Sequence, residues 1–290
     1  MSLSTTRKIL LGLTATFALT ICQSATASTF HNGWHYTLDS HNDSMAGNQV
    51  GGTIYEIGGM AYTTTDTEVI FAVKSNLPFG GNPSSYAQDG LVAWGDLFLN
   101  FSGQNLDNAS NNALLQAIRF RPGGETGLYN NVTAKDVAYE NGMLLYDRSL
   151  RGYNNYIISK GGSPSMGDLG AYDPYFNQNH HVQNVIASGN RIGDVNIISD
   201  FSGLGLDFGF IGATGNNIMG FSVARSLLPT GDFLAHLAME CDNDVIAMVG
   251  NLETMVTESE KPADVPEPQT VTGLLVTGLL SMFSKRMLAA

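Results

Sequence analysis

The sequence predicts an all-β protein: a β-sandwich or jelly-roll-like domain, flanked by a signal peptide and a short C-terminal hydrophobic helix. Three observations predict it. Of 290 residues, 43% are hydrophobic, enough for a substantial core. Only 14% are charged while 33 are Gly, a balance of strand-and-turn proteins and not of helical bundles. Apolar residues recur at every second position in short runs that are broken by Gly, Asn, Asp and Pro.

At the amino end, Arg7 and Lys8 precede an apolar run from Ile9 to Cys22, and Ala25-Thr26-Ala27 stands before Ser28. A basic region, an apolar region and an A-x-A site predict a secretory signal peptide over residues 1–27, removed by signal peptidase between Ala27 and Ser28. Cys22 leaves with that segment, so the mature chain keeps Cys241 alone and forms no internal disulfide. Its neighbours "FLAHLAMECDNDV" read as the setting of a buried small hydrophobe.

Residues 28–250 form the predicted surface domain. In "TEVIFAVKS", Val69, Phe71 and Val73 point one way and Ile70, Ala72 and Lys74 the other, which predicts a strand with a buried face. "DGLVAWGDLFLNFSG" alternates similarly through Leu97, Leu99 and Phe101, with Gly95 as a bulge or a close backbone approach. Further strands are expected in "WHYTLDS", "GTIYEIGGMAY", "YNNYIIS", "HHVQNVIAS", "DVNIIS", "GLDFGFIG", "NIMGFSVA", "FLAHLAME" and "DVIAMV". Short helices are expected over residues 111–118 and 133–139. No fixed-period repeat stands out, which argues against a solenoid or propeller.

Residues 251–264, "NLETMVTESEKPAD", lose aromatics and gain Glu, Lys and Pro, the composition of a linker. Residues 265–290 then place a Pro-x-Pro element before an apolar run and a basic pair. The largely apolar run 271–284, two Thr, two Gly and two Ser included, has 14 residues and falls short of the roughly 20 that cross a bilayer comfortably. This order resembles the PEP-CTERM sorting signal, which bacteria with an exosortase use to process and attach surface proteins. Val265, Pro266, Glu267 and Pro268 match its motif, the run to Phe283 its helix, and Lys285 and Arg286 its basic stop. "GGTIYEIGGMAYTTTDTEVIFAVKSNLPFGG", "DGLVAWGDLFLNFSG" and "MECDNDVIAM" are similar to the block pattern of a cyanobacterial family of exosortase-dependent surface proteins. That resemblance implies a surface β domain, transient membrane anchoring by the tail and processing by an exosortase-type enzyme. It supplies no catalytic residue.

Loss of both terminal segments removes Arg7, Lys8, Lys285, Arg286 and Glu267, leaving 10 basic against 25 acidic side chains. Such a surface repels phosphate backbones, so nucleic acid is excluded as a partner and neutral glycans or cations are favoured. Catalytic signatures are missing: there is no H-E-x-x-H, no C-x-x-C and no G-x-S-x-G, and "GLGLDFG" does not fit a dinucleotide turn. Asp96, Glu140 and Glu240 are the carboxylates a glycosidase reading would draw on, but spacing alone does not pair them. His31, His35 and His41 lie in an extended segment that does not bring them together.

Calcium is the one ligand suggested by residue type. Asp39, Asn42 and Asp43 in "LDSHNDS", and Asp242 and Asp244 in "CDNDV", are clustered oxygen donors, the kind hard cations prefer; Asx turns at strand ends would use the same residues. Trp94, Tyr172 and Tyr175 are candidate faces for stacking a sugar, or else core aromatics with a satisfied polar tip. The expectation is thus an exported protein at the cell surface or in the extracellular matrix, structural or adhesive, with exopolysaccharide as a partner. The alternative is a secreted glycan-binding module or glycan-active enzyme.

Overall fold

The computed structural model describes residues 28–121, 125–142 and 149–253. Ala25 and Ala27 of the predicted cleavage site, and Val265, Pro266, Glu267, Pro268, Lys285 and Arg286 of the sorting signal, lie outside them. The described chain is mostly β, in antiparallel sheets. Among the described residues no helix is long and apolar enough to cross a membrane.

Twelve strands make two six-stranded sheets. In chain order they are β1 (Thr29–His31), β2 (Trp34–Leu38), β3 (Ile57–Thr64), β4 (Glu68–Ser75), β5 (Leu97–Asn100) and β6 (Leu115–Arg119), then β7 (Gly127–Lys135), β8 (Val185–Gly193), β9 (Asn196–Ile198), β10 (Asn217–Ala224), β11 (Gly231–Ala238) and β12 (Val245–Leu252). The first sheet runs β1-β2-β3-β4-β10-β9 and the second β8-β7-β6-β5-β11-β12. Hairpins supply most neighbours, but β4 with β10 and β5 with β11 join strands far apart in sequence. Among the described residues two α-helices, α1 (Leu106–Asn111) and α2 (Leu150–Ser159), complete the frame.

Alternation explains how the sheets bury themselves. Val69, Phe71 and Val73 of β4 and Phe221 of β10 join Leu97 and Leu99 of β5 and Phe233, Ala235 and Leu237 of β11 in one apolar cluster. Rings from the two sheets touch directly: Tyr62 meets Phe233 edge-on at 5.2 Å between centroids. Each such aromatic, fully withdrawn from water, contributes about 1.5–3 kcal/mol. The opposite faces are covered too. Ile70 and Ala72 pack with Trp34, Tyr36 and Phe208, while Phe98, Ala117 and Ala247 pack with Leu106 and Ala109 of α1 and Leu150 of α2. Burial of the central strands on both faces explains why they contain so few charges.

Four expectations are corrected. "YNNYIIS" belongs to α2, not to a strand: Leu150, Tyr153, Asn154 and Ile157 are buried at i, i+3, i+4 and i+7, and Ser149 caps the helix by accepting from Gly152 N. The helix expected over 111–118 is instead the end of α1 and the start of β6, because Ala113 takes a positive φ of 53° and turns the chain toward its strand partners. The helix expected over 133–139 is the end of β7 followed by a turn in which Asp136 Oδ1 accepts from Ala138 N at 2.7 Å. "GLDFGFIG" likewise forms turns, and its Phe208 covers the outer face of the first sheet.

Gly95 is a close-approach glycine. A Cβ there would run into the backbone oxygens of Asn184 and Ala238, the latter already accepting from Gly95 N at 3.0 Å. Backbone has little room to yield, so Gly95→Ala is expected to cost about 1–3 kcal/mol in urea unfolding, with the slope unchanged. An unaltered midpoint would contradict this packing.

Candidate metal centre

Asp39 follows β2, Asp43 lies in the loop beyond it, Glu56 immediately precedes β3, and Asp244 immediately precedes β12. These four carboxylates from distant parts of the chain are buried at one junction, at 5%, 3%, 2% and 4% exposure respectively. One carboxylate oxygen each of Asp43, Glu56 and Asp244 lie within 4.8 Å of one another. Asp39 adds its charge beside them, acting on Asp43 and Asp244 and feeling Glu56.

The carboxylates are held by backbone and hydroxyl donors. Asp39 Oδ1 accepts from Ser40 N (3.0 Å), Ser165 Oγ (2.6 Å) and Gly167 N (3.0 Å), and Asp43 Oδ2 accepts from Ser165 N (2.7 Å). Glu56 Oε2 accepts from Ser44 Oγ and Gly52 N, both at 2.6 Å. Asp244 Oδ2 accepts from Ile57 N at 2.6 Å, so a residue at the edge of the second sheet clasps the first residue of β3 in the other. Two oxygens stay unsatisfied: Asp39 Oδ2 and Asp43 Oδ1 are buried without a hydrogen-bond partner. Among the described residues none of the four carboxylates forms an ion pair with Lys, Arg or His.

Burying anions this close without a cation is costly, and protonation is the usual escape. Burial, opposed by the hydrogen bonds from Ser165, Gly167 and Ser40 and helped to a lesser degree by the Glu56 charge, raises Asp39 to about 7. Burial and the Asp39 charge push Asp43 up to about 10. Asp244 is pushed well up by burial and then by Asp43, Asp39 and Glu56. Together they are a cluster of oxygen donors whose charge demands either protons or a metal ion.

Of the sequence candidates for calcium, the structure thus brings together Asp39, Asp43 and Asp244. Asn42 is turned to other work, while Asp242 borders the same small cavity as Asp43 and Asp244 with one oxygen engaged elsewhere. Asn42 Oδ1 accepts from Ser40 Oγ at 2.8 Å and Ser163 N at 3.1 Å, shaping the loop. Asp242 Oδ1 accepts from Asn184 Nδ2 at 2.9 Å, and its Oδ2 lies 3.8 Å from His181 Nδ1. Glu56 was missed. Its signal was a lone carboxylate in the apolar run "GTIYEIGGM", where a charge has no reason to sit unless something binds it.

The proposed sugar-stacking residues do not form a platform. Trp94 is fully buried with Nε1 donating to Pro78 O at 3.1 Å, and Tyr175 is buried against Phe176 and His236. Both lost their ring faces to packing, since large aromatics near strand ends fill the core first. Tyr172 is exposed, but the Arg151 guanidinium lies over its ring at 5.6 Å. His31 and His35 stack on Phe210 and Tyr62 instead of converging. Asp96 and Glu240 are each clamped by a guanidinium, Asp96 by two 3.0 Å bonds from Arg119 and Glu240 by Arg121, the geometry of structural ion pairs. Cys241 is buried, which pushes its thiol up and keeps it unreactive.

No protein-family model, curated protein or solved structure matches the chain.

The neighbour that buries Tyr175 yields a pH prediction. His236 is fully buried, Nε2 donating to Gln183 O at 3.2 Å and Nδ1 accepting from Tyr175 Oη at 3.2 Å, and burial lowers it to about 4. Below about pH 6.5 the unfolded chain binds a proton that the folded ring refuses. This residue therefore withdraws stability as pH falls from about 6.5 to 4, on the order of 3 kcal/mol in full. Imidazole nitrogen shifts should show His236 still neutral at pH 5; a protonated ring at that pH would refute the assignment.

Proposed function

We propose that the chain is an exported cell-surface or extracellular-matrix protein with a structural or adhesive role. Its β-sandwich domain follows a signal peptide and precedes a PEP-CTERM-like tail processed by an exosortase-type enzyme. The observation that carries this reading is the inward use of polar chemistry. Buried Asp39, Asp43, Glu56, Asp96, Glu240 and Asp244 bind backbone, hydroxyls or guanidiniums of the chain itself. Groups so engaged hold segments together and are poorly placed to attack a substrate. The acid excess of the mature chain supports solubility outside the cell.

One observation favours the glycan-binding alternative. A cleft of about 500 Å³ is lined by Tyr55, Asn48, Ser84, Asn141 and the exposed Tyr86, a mixture of ring and amide that suits a neutral sugar. It replaces Trp94 and Tyr175 as the place where stacking could occur.

Intact mass of the native protein from the cell envelope and from the medium tests the sorting reading. A mature chain starting at Ser28 and ending near Pro266 to Pro268 is expected, with or without added mass from attachment. A mass running to Ala290 in the membrane fraction would contradict processing. Exopolysaccharide binding that falls at least about fivefold in Tyr86→Ala, with no new reducing ends, would favour the binding module over the scaffold; release of reducing ends would favour an enzyme.

A further inference from the structure

We infer that Asp43, Glu56 and Asp244 ligate one hard divalent cation, with calcium the ion whose size fits, and that Asp39 completes the charge of the site. This stands apart from the surface-protein reading and needs none of it.

Two oxygens on one calcium ion, each at about 2.3–2.6 Å, lie no more than about 4.6–5.2 Å apart, so a cage whose three oxygens fall within 4.8 Å can take the ion with little movement. Magnesium, at about 2.0–2.1 Å, allows no more than about 4.2 Å between any two ligands and would draw a cage of the full 4.8 Å span inward. The donors are all carboxylate oxygens. Without His or Cys among them, the set is a poor match for zinc or copper.

An acidic cluster alone would not establish a site. Here the polar atoms are left over in a specific way. Asp43 Oδ1 belongs to one of the three ligand carboxylates and Asp39 Oδ2 to the neighbouring one; both are without a hydrogen-bond partner, in residues at 3% and 5% exposure. Buried oxygens of that kind are rare unless an ion or water satisfies them. A second surplus lies next to them. The Tyr153 hydroxyl sits 3.2 Å from Asp43 O and 2.5 Å from Asn243 O, and its one proton cannot satisfy both carbonyls. The cavity bounded by Asp43, Asp244, Tyr153 and Ser165 holds about 10 Å³, room for roughly one water-sized ligand.

The remaining donors have the role expected of an outer shell. Ser165 N, Ser44 Oγ, Gly52 N and Ile57 N each fix one oxygen of a ligand carboxylate, presetting its orientation before the ion arrives. Because the ligands come from the loop after β2, the start of β3 and the start of β12, the ion would staple segments of the first sheet to the second. Binding should therefore register as added stability of the whole domain.

The test uses the full-length protein stripped with EGTA. Calcium at 1 mM is expected to raise the melting temperature by about 5 °C or more, and magnesium by clearly less. Terbium, a luminescent stand-in for calcium, should bind and emit by transfer from nearby Tyr153, and calcium should displace it. Asp43→Asn and Asp244→Asn keep side-chain shape, so at least one should fold by circular dichroism; in whichever folds, terbium affinity should drop at least tenfold and the calcium shift vanish. Exposed Asp232→Asn should leave both responses intact. No melting shift and no terbium emission in the native protein would overturn the site, as would a response retained in a folded Asp43→Asn or Asp244→Asn variant.

Discussion

Four carboxyl groups converge where the loop after β2, the start of β3 and the start of β12 meet, and they cannot all be buried there as free anions. Repulsion between carboxylates in a poorly hydrated interior would push these segments apart. Something must neutralise them for the junction to close. The junction in turn fixes the register of the strands that leave it: Ile57 N donates to Asp244 at the head of β3, and Val245 N donates to the same carboxylate at the head of β12. Ser165 and Gly167, through Asp39 and Asp43, bring a third segment onto the same point.

From that junction the sheets extend by ordinary means. Val69, Phe71 and Val73 face Leu97, Leu99 and Phe233 across the shared core, while Ile70, Ala72, Phe98 and Ala117 are buried on the outer faces by loops and by α1 and α2. Apolar burial supplies most of the stability, as in any domain of this size, but it does not choose which loop meets which strand end. Buried polar contacts do choose, because each tolerates few alternatives. The paired guanidiniums of Arg119 and Arg121 play the corresponding part on Asp96 and Glu240. There the charge is met by the chain itself, whereas at Asp39, Asp43, Glu56 and Asp244 it is not.

The β class was legible because alternation in residues such as Val69 to Val73 reports a pleated strand directly. Residues 153–159 were misread because Tyr and Ile favour strands individually, while the helical signal lay in the wider spacing from Leu150 to Ile157 and in the Ser149 cap. Residues 111–118 erred the other way: local helix preference yielded to pairing of β6 with β5 and β7. At the carboxylate cluster, Asp39, Asp43 and Asp244 were visible as donors, but their meeting was not, since some 200 residues separate Asp43 from Asp244. Trp94 and Tyr175 take the core reading that the sequence offered beside sugar stacking; sequence shows that a ring exists and not which side of it is covered.

The most direct measurement of the central claim is anomalous X-ray scattering from crystals of the protein grown with calcium and with a lanthanide in its place. One strong peak is predicted about 2.3–2.6 Å from carboxylate oxygens of Asp43, Glu56 and Asp244. Well-ordered carboxylates with no peak between them, at millimolar ion and neutral pH, would show that protons alone close the junction and would contradict the claim.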